Sequence, residues 1–228
     1  MRRRSPGSNR VNMFPYPRAE ERGRMVERQI EARGIRNPLV LAAMREIPRH
    51  VFIPSTYEES AYDDNPLPIG NGQTISQPYI VALMTELLHP DPSDDVLEIG
   101  AGCGYQAAIL SRLVHRLTTM ERIPAVAILA RNNLTSLGIQ NVEVIDGDGT
   151  QGYPQNAPYD GIMVTAATPE IPKTLTDQLS DGGRLVAPIG GRDIQELVTL
   201  EKQGDRMISE YHGGVRFVPL IGKHGWEN

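Results

Sequence analysis

The sequence predicts an α/β fold. A doubly wound, mostly parallel seven-stranded sheet follows a helical N-terminal segment and ends in an antiparallel C-terminal hairpin. Three observations predict this fold. Residues 95–105 have the pattern of a buried strand, a glycine-rich turn and the start of an apolar helix. Short apolar strands then alternate with helices up to Pro188, which is typical of parallel sheets. After residue 195, two alternating strands flank Gly204 and Asp205, which favours a hairpin at a sheet edge.

Length and charge indicate one domain with an N-terminal tail. The chain has 228 residues, a size that suits a single domain. Residues 1–24 contain seven of the 23 basic side chains and two of the 28 acidic ones, so the remainder has 16 basic and 26 acidic residues. We therefore predict a disordered Arg-rich tail over residues 1–24 and one domain over residues 25–228. Within that domain, residues 25–90 should hold helices and a functional loop, and residues 91–228 the sheet.

Composition also bounds the partners and the compartment. An acidic domain is a poor partner for nucleic acid, although the basic tail leaves an anionic partner open. No apolar run approaches the roughly 18 residues of a membrane span, and the basic start lacks the apolar segment of a secretory signal. Cys103 is the single cysteine, so an intrachain disulfide is impossible. We expect a cytoplasmic monomer that binds neither nucleic acid nor membranes.

Helical spacing predicts three helices before the sheet. The first covers residues 20–33, with Met25, Val26 and Ile30 facing inward and Gly34 just past its end. The second begins at Pro38 and ends before Pro48. Its apolar set is Leu39, Val40, Ala43, Met44 and Ile47. The third begins at Pro78. Residues 55–77 are predicted to be a loop, and a loop of that length in a compact domain is usually functional or disordered.

The sheet is predicted from the alternation that follows. The strands are expected at residues 95–99, 116–120, 142–145, 159–165, 184–188, 195–200 and 207–218. The intervening helices are expected at residues 105–114, 124–137 and 172–179. The sequence leaves either order of the last two strands open.

A glycine-rich turn follows the first strand and indicates the kind of ligand. Gly100, Gly102 and Gly104 come directly after a strand that contains Glu98. Tyr105 stands where a dinucleotide-binding loop has its third glycine. A carboxylate before the loop would repel a pyrophosphate and suits a cationic ligand. The run E-x-G-x-G-x-G resembles the first motif of the S-adenosylmethionine (AdoMet) methyltransferases, a class with a Rossmann-like sheet whose acidic strand residue lies near the methionine part of the cofactor. An ordinary strand, turn and helix with incidental glycines is the alternative.

Two further strand ends carry carboxylates. Glu121 follows the second strand, where Rossmann-like sheets place an acceptor for ribose hydroxyls; a solvated side chain is the alternative. Asp148 and Gly149 follow the third strand, where the aspartate could bind an adenine amino group or form a plain turn. Cys103 is predicted to be a small filler of the glycine loop rather than a reactive thiol. The five histidines show no metal-ligand spacing and no G-x-S-x-G motif is present, so neither a metal site nor a hydrolase triad is predicted.

The segment before the first strand makes the resemblance more specific. Residues 67–84, L-P-I-G-N-G-Q-T-I-S-Q-P-Y-I-V-A-L-M, closely resemble the signature of protein-L-isoaspartate O-methyltransferases. The same family is resembled by residues 25–54, 157–167, 178–190 and 215–220. The resemblance implies methylation of the α-carboxyl group of L-isoaspartyl residues in damaged proteins and peptides. AdoMet is the implied methyl donor and S-adenosyl-L-homocysteine the product. The methyl ester then closes to a succinimide, part of which reopens as normal aspartate.

The resemblance also assigns residues. Ser76, within T-I-S-Q-P, matches the position usually cited as the active site. The implied cofactor-binding set is Gln73, Thr74, Ile75, Ser76, Glu98, Gly100, Gly102, Gly104, Glu121, Arg122, Asp148 and Gly149. The implied substrate-binding set, at the end of the fourth strand and in V-R-F-V-P-L, is Thr165, Ala166, Ala167 and Val218.

The implied reaction requires no general base, because the acceptor carboxylate is already ionised near pH 7. Ser76 is then expected to position the acceptor by a hydrogen bond rather than to act as a nucleophile. Residues 62–79 are expected to form a lid that excludes water and aligns the reacting atoms. Two alternatives are an AdoMet methyltransferase for another acceptor and a non-catalytic AdoMet- or nucleotide-binding module. The second would have no use for T-I-S-Q-P, and Tyr105 disfavours an oxidoreductase.

Overall fold

Helical elements precede the sheet, as predicted. The computed structural model describes residues 16–227. The first elements are α1 (Ala19–Met25), which continues through a π-helical turn (Val26–Ile30) and a 3-10 turn (Glu31–Arg33), then α2 (Pro38–Glu46) and α3 (Pro78–Leu88). Met25, Val26 and Ile30 are buried, as their spacing predicts. No helix among residues 16–227 has the length and apolar character needed to cross a membrane.

The predicted boundary of the Arg-rich tail lies too far along the chain. Residues 1–15 of that predicted tail lie outside the described residues. Residues 16–24 are folded onto the domain, since α1 begins at Ala19. Arg22 is buried and donates to the Pro17 carbonyl oxygen (3.1 Å) and the Tyr62 hydroxyl (3.3 Å). Arg22, one of the arginines assigned to the predicted tail, is therefore a buried side chain that anchors α1 to the domain.

Helix α2 begins at its capping residue. The Asn37 side-chain oxygen accepts a hydrogen bond from the backbone N–H of Leu39 (2.9 Å), and Pro38 occupies the first helical position, where no N–H is needed. The predicted apolar face is wrong at Leu39, which is 53% exposed, while Leu41 is buried. Helical spacing allows either flank of an apolar stripe to be covered, and tertiary packing selects the side of Leu41.

Residues 55–77 contain more regular structure than predicted. A 3-10 turn (Ser55–Ser60) precedes an antiparallel hairpin of β1 (Leu67–Gly70) and β2 (Gln73–Ile75). Asn71 and Gly72 form its turn with φ values of 52° and 70°. These left-handed values are the ones that a two-residue hairpin turn requires and that Asn-Gly favours.

Seven strands form the main sheet. They are β3 (Asp95–Ile99), β4 (Arg116–Glu121), β5 (Val142–Asp146), β6 (Tyr159–Val164), β7 (Leu179–Gly190), β8 (Gln195–Gln203) and β9 (Arg206–Val215). Their order across the sheet is β5-β4-β3-β6-β7-β8-β9. Strands β3 to β7 pair in parallel, and β8 is antiparallel to both of its neighbours. The predicted fold class is confirmed, and β9 takes the outer position among the last two strands.

The remaining helices are α4 (Tyr105–Leu110), α5 (Pro124–Ser136) and α6 (Lys173–Asp177). Helix α4 is shorter than predicted, because turns follow it up to residue 113. Strand β7 is longer than predicted and starts before Gly182 and Gly183, whereas β9 ends at Val215 rather than at Val218. An apolar cluster that includes Val96 and Met163 packs one sheet face against α1–α5, and a second cluster with Leu97 and Ile162 packs the other face against α6 and Leu220.

The chain changes its direction of travel across the sheet between β3 and β6. It runs outward from β3 to β4 and β5, then returns to add β6 on the other side of β3. The loops that follow β3 and β6 therefore diverge and leave a crevice between them, which is where α/β sheets bind ligands. The glycine loop, residues 100–104, follows β3, and Thr165 follows β6.

Candidate active site

Three adjoining cavities lie at the carboxyl ends of the parallel strands. The predicted residues that line the central cavity are Gln73, Thr74, Ile75, Ser76, Gly100, Gly102, Glu121, Thr165, Ala166 and Val218. The side cavity shares Gln73, Gly100, Glu121, Ala166 and Val218 with the central one, and it adds Arg122 and Gly149. The outer cavity shares Thr74, Ser76, Thr165, Phe217 and Val218 with the central one. The central cavity thus adjoins both of the others.

The glycine loop is tied to the ends of the neighbouring strands. The backbone N–H groups of Gly100 and Ala101 both donate to the Met120 carbonyl oxygen, at 2.8 and 3.0 Å. On the other side, the Thr165 hydroxyl donates to the Gly100 carbonyl oxygen (2.6 Å). Gly100 has φ 98°, and a Cβ atom there would lie 2.5 Å from the Thr165 Oγ1. Glycine is therefore required at this position by both conformation and space.

Glu121 anchors the loop and faces the ligand space. Its carboxylate accepts hydrogen bonds from the backbone N–H of Gly102 (3.1 Å) and of Ile123 (3.0 Å). Only 8% of the residue is exposed, yet it lines both the central and the side cavity. A carboxylate held in this way presents fixed acceptor oxygens where the two cavities adjoin, which suits vicinal hydroxyl groups.

Glu98 lies beneath the loop and lines none of the three cavities. The residue is fully buried, and the Thr119 hydroxyl donates to its Oε2 (2.6 Å). Its Oε1 has no hydrogen-bond partner in the part of the chain that the structure describes. Burial raises the pKa of the Glu98 carboxyl to about 8, the Thr119 hydrogen bond opposes that shift, and the Glu121 carboxylate adds to it. The structure thus buries this carboxyl at the end of β3, just before the glycine loop, with one acceptor oxygen unpaired among the described residues.

Ser76 is placed by the hairpin that the sequence did not predict. It follows β2 directly and precedes α3, so the hairpin brings it to the strand ends. Its carbonyl oxygen accepts a hydrogen bond from the Arg49 guanidinium (2.7 Å). Ser76 lines the central and the outer cavity together with Thr165, so both residues belong to the boundary between the two spaces.

Asp148 holds the C-terminal segment rather than lining a cavity. One carboxylate oxygen accepts from the Thr150 backbone N–H (2.9 Å) and hydroxyl (2.7 Å), and the other accepts from the Lys223 backbone N–H (2.8 Å). Burial is the largest single influence and acts to raise the pKa of this carboxyl, but these hydrogen bonds together hold the pKa below its usual value. The segment that they fix contributes Pro219, Leu220 and Ile221 to the side cavity. Asp148 therefore shapes the predicted adenine region from behind.

Two other predicted residues also act from outside the cavities. Gly104 precedes α4 and packs against Ala130 and Leu134 of α5. Ala167 is buried, and its backbone exchanges hydrogen bonds with the strand end opposite: its N–H donates to the Val218 carbonyl oxygen (2.8 Å), and its own carbonyl oxygen accepts from the Leu220 N–H (2.7 Å). The structure thus gives Gly104 and Ala167 roles in packing and backbone pairing.

Several cavity residues were absent from the sequence prediction. Phe217 lines the central and outer cavities, and Arg216 is the charged residue that lines the outer one. Val81, Met84 and Gln106 contribute helix side chains to the central cavity. The stretch V-R-F-V-P-L marked residues 215–220, so Phe217 and Arg216 could have been named from it. Residues on α3 and α4 have the ordinary spacing of core positions, so no local signal distinguishes them.

Tyr105 and Cys103 line the central cavity from the glycine loop side. Burial raises the pKa of the Cys103 thiol to about 11 and so keeps the sulfur protonated, in agreement with the predicted filler role. The Tyr105 hydroxyl is buried without a hydrogen-bond partner in residues 16–227. Within the same residues, no group of three or more His, Cys, Asp or Glu side chains is arranged to hold a metal ion.

The chain is similar in sequence to a known family of proteins. The family described as protein-L-isoaspartate(D-aspartate) O-methyltransferase matches residues 20–225. The protein-L-isoaspartate O-methyltransferase of Methanoregula boonei is 68% identical over 94% of this chain and 99% of its own length. The protein of the same name from Methanospirillum hungatei is 60% identical over 92% of this chain and 97% of its own length.

Solved structures agree. A protein-L-isoaspartate O-methyltransferase with 32% sequence identity superposes with a TM-score of 0.81 and covers 91% of this chain and 67% of its own. A Plasmodium falciparum protein of that description, in complex with S-adenosyl-L-homocysteine, has a TM-score of 0.76 at 24% identity over 88% of this chain and 98% of its own, which supports the fold alone. On the family match and the identity to its relatives, the chain belongs to the protein-L-isoaspartate(D-aspartate) O-methyltransferase family.

Proposed function

We propose that this chain transfers a methyl group from AdoMet to the α-carboxyl group of L-isoaspartyl residues in damaged proteins and so initiates their repair. The observation that supports this most directly is the shared boundary of the central and outer cavities, to which Ser76 and Thr165 both belong. A transferase needs a cofactor space and an acceptor space that meet at one place. The family supplies the acceptor, and the two adjoining cavities supply the places for the two substrates.

The central and side cavities fit AdoMet. Glu121 offers acceptor oxygens for the ribose where the two cavities adjoin. The buried Oε1 of Glu98 has no hydrogen-bond partner among the described residues, and a cationic ligand nearby would favour ionisation of this carboxyl. AdoMet supplies a methyl group made electrophilic by its sulfonium. Gly149, Arg122 and the segment 219–221 would hold the adenine end in the side cavity, and Gln73, Thr74 and Ile75 would cover the opposite wall of the central cavity.

This chain's own part in the reaction is to orient the acceptor and to exclude water. The acceptor carboxylate is ionised at neutral pH and needs no base. The Ser76 hydroxyl makes no hydrogen bond to the other described residues and is therefore available to one acceptor oxygen. The Thr165 hydroxyl is held by its hydrogen bond to the Gly100 carbonyl oxygen, which gives this residue a fixed position at the boundary of the two cavities. The hairpin β1–β2 covers the site and keeps water from solvating the two opposite charges.

The outer cavity supports a peptide as the substrate. It is lined by Pro66, Thr74, Ser76, Gln77, Ile80, Thr165, Ile194, Gly214, Val215, Arg216, Phe217 and Val218. Apart from Arg216 this lining is uncharged, and Val218 and Thr165 lie where it adjoins the central cavity. Such a surface favours the backbone and apolar parts of a peptide, while Arg216 adds attraction for negative charge near the isoaspartyl residue.

We further infer that the enzyme acts as a monomer in the cytoplasm. Places for both substrates of the proposed reaction can be built from one copy of the chain, whose single cysteine is a buried thiol in the glycine loop. Light scattering coupled to gel filtration tests the first statement, since a mass twice that of the chain would contradict it. Fractionation of cells that express the chain tests the second.

The test of the reaction uses methyl-labelled AdoMet and two peptides that differ in one residue, isoaspartate or aspartate. Base-labile label in the isoaspartyl peptide alone is the expected result, because esters of carboxyl groups hydrolyse in base. Equal label in both peptides would contradict the acceptor. Label in neither peptide, with AdoMet bound, would point to a methyltransferase for another acceptor.

A further inference from the structure

Arg49 is a buried cation without a carboxylate partner. It has no exposed surface, and none of the ion pairs among residues 16–227 involves it. Its guanidinium donates instead to three backbone carbonyl oxygens: those of Ala61 (2.9 Å), Asn65 (3.1 Å) and Ser76 (2.7 Å). Burying a charge in this way is costly, and an apolar side chain of similar volume would often stabilise the fold as well. The three bonds therefore suggest a geometric role.

The three acceptors bracket the active-site hairpin. Ala61 and Asn65 precede β1, and Ser76 follows β2. One planar guanidinium thus joins both ends of the segment that covers the site. The donors of a guanidinium have a fixed fork geometry, so the Ser76 carbonyl is held at a set position relative to the start of the segment.

The same guanidinium also contacts Tyr105, the residue that directly follows the glycine loop. It lies over the Tyr105 ring, with 5.3 Å from its central carbon to the ring centroid. Phe52, three residues after Arg49, contacts that ring edge-on at a centroid distance of 5.3 Å. Tyr105 follows Gly104 directly and lines the central cavity. Arg49 is therefore the side chain that connects the position of Ser76 to the wall of the cofactor space.

We propose that Arg49 is a positioning residue for methyl transfer, which fixes Ser76 at the boundary of the central and outer cavities through its carbonyl oxygen. This inference rests on the proposed function, because it assigns Arg49 a role in that reaction. Arg49 contacts neither substrate. Its contribution is the alignment of acceptor oxygen, methyl carbon and sulfur, and a misplacement of about 1 Å can cost on the order of 10²-fold in rate.

The test compares Arg49→Met with Arg22→Met as a matched control. Arg22 is also buried and also donates to backbone carbonyl oxygens, those of Pro17 and Arg45, but its contacts stop at Tyr62, before the hairpin. We expect Arg49→Met to lower kcat about 10²-fold. The Kd for S-adenosyl-L-homocysteine should stay within about threefold of wild type, because a positioning residue acts on turnover. Arg22→Met should lower only the Tm. Arg49→Lys keeps the charge but lacks the fork, so it should recover only part of kcat.

Backbone hydrogen exchange gives a readout that does not depend on activity. Amides of residues 67–77 should exchange about tenfold faster in Arg49→Met than in Arg22→Met, because the hairpin loses its anchor. The proposal would be overturned if kcat of Arg49→Met fell by less than about tenfold, or if Arg22→Met lost as much kcat as Arg49→Met. Equal exchange rates of residues 67–77 in the two variants would also overturn it. If the wild-type chain fails to methylate an isoaspartyl peptide, the proposed function fails, and the exchange comparison still decides whether Arg49 anchors the hairpin.

Discussion

The Thr119 hydroxyl donates a 2.6 Å hydrogen bond to Glu98 Oε2, and the other oxygen of that buried carboxyl has no partner among the described residues. One neutral donor is little compensation for a carboxylate removed from water. The pKa of about 8 follows chiefly from that burial, so the carboxyl is mostly protonated at pH 7. This arrangement has consequences for cofactor binding and for stability.

Cofactor binding at pH 7 should release protons from Glu98. A cationic ligand in the central cavity favours the ionised carboxyl and so lowers its pKa. Calorimetric titration with AdoMet in two buffers of different ionisation enthalpy measures the number of protons released. We expect up to one proton for wild type and a smaller number for Glu98→Gln. Equal buffer dependence for the two proteins would contradict this role of Glu98.

The contribution of Glu98 to the stability of the free protein should fall as pH rises from about 5 to 8. The Glu98 pKa is raised in the folded state, from 4.5 to about 8. Between those values the folded state holds a proton that the unfolded chain has lost, so the stabilising effect of that proton is lost as pH rises. The Tm of Glu98→Gln minus the Tm of wild type should therefore increase as pH rises from about 5 to 8. A Tm difference that is constant with pH would contradict the prediction.

Ser76→Ala should lower turnover and leave cofactor binding intact. Ser76 lines both the central and the outer cavity, whereas Gln73 and Ile75 line the central cavity and not the outer one. We expect kcat to fall by about 10²-fold with the Kd for AdoMet nearly unchanged. Ser136→Ala is the control, because its hydroxyl bonds only to the Asn133 carbonyl oxygen on the exposed end of α5. Wild-type turnover in Ser76→Ala would exclude the positioning role.

Gly100→Ala should cost more than backbone strain alone. Gly182 has φ 78° with no atom near its missing Cβ, so Gly182→Ala measures the strain by itself, about 1 kcal/mol. At Gly100 the added Cβ would also meet the Thr165 Oγ1 at 2.5 Å, which adds about 1–3 kcal/mol. Chemical denaturation of the two variants measures the difference. Equal free energies of unfolding would show that Thr165 yields without cost.

Arg216→Glu should raise the KM for acidic isoaspartyl peptides and leave kcat nearly unchanged. The side chain is exposed and lines the outer cavity away from the reacting groups, so its effect on binding should be electrostatic and should shrink in high salt. Arg206→Glu makes the same charge change at the far end of β9, outside the three cavities. An equal rise in KM for both variants would assign the effect to net charge rather than to Arg216.

The sequence predicted the sheet well because each strand and helix carries its own periodicity. Asp95–Ile99 was predicted with its correct ends, since a buried strand before a glycine turn is bounded on both sides. The hairpin β1–β2 was missed because its strands have only four and three residues, too few for alternation to be visible. The Asn-Gly pair at residues 71–72 was the available signal.

The sequence predicted cavity residues best where a motif lies at the end of a strand, because the backbone alone then brings the residue to the cavity. Glu121 and Gly100 line the central and side cavities, because the carboxyl ends of neighbouring parallel strands meet at the same edge of such a sheet. Asp148 and Glu98 have the predicted positions along the chain, but their side chains turn toward Thr150, Lys223 and Thr119. Which way a carboxylate turns depends on partners that are distant in sequence, and these become neighbours only in the folded chain.

With the donor in the central cavity and the acceptor in the outer one, their shared boundary leads us to expect a defined stereochemistry for methyl transfer. The acceptor oxygen then attacks the methyl carbon from the face opposite the sulfonium sulfur, and the sulfur leaves in a single displacement. A methyl group made chiral with hydrogen isotopes would therefore emerge with inverted configuration. Retention would require two successive inversions, with the methyl group carried for a time by a side chain such as Ser76.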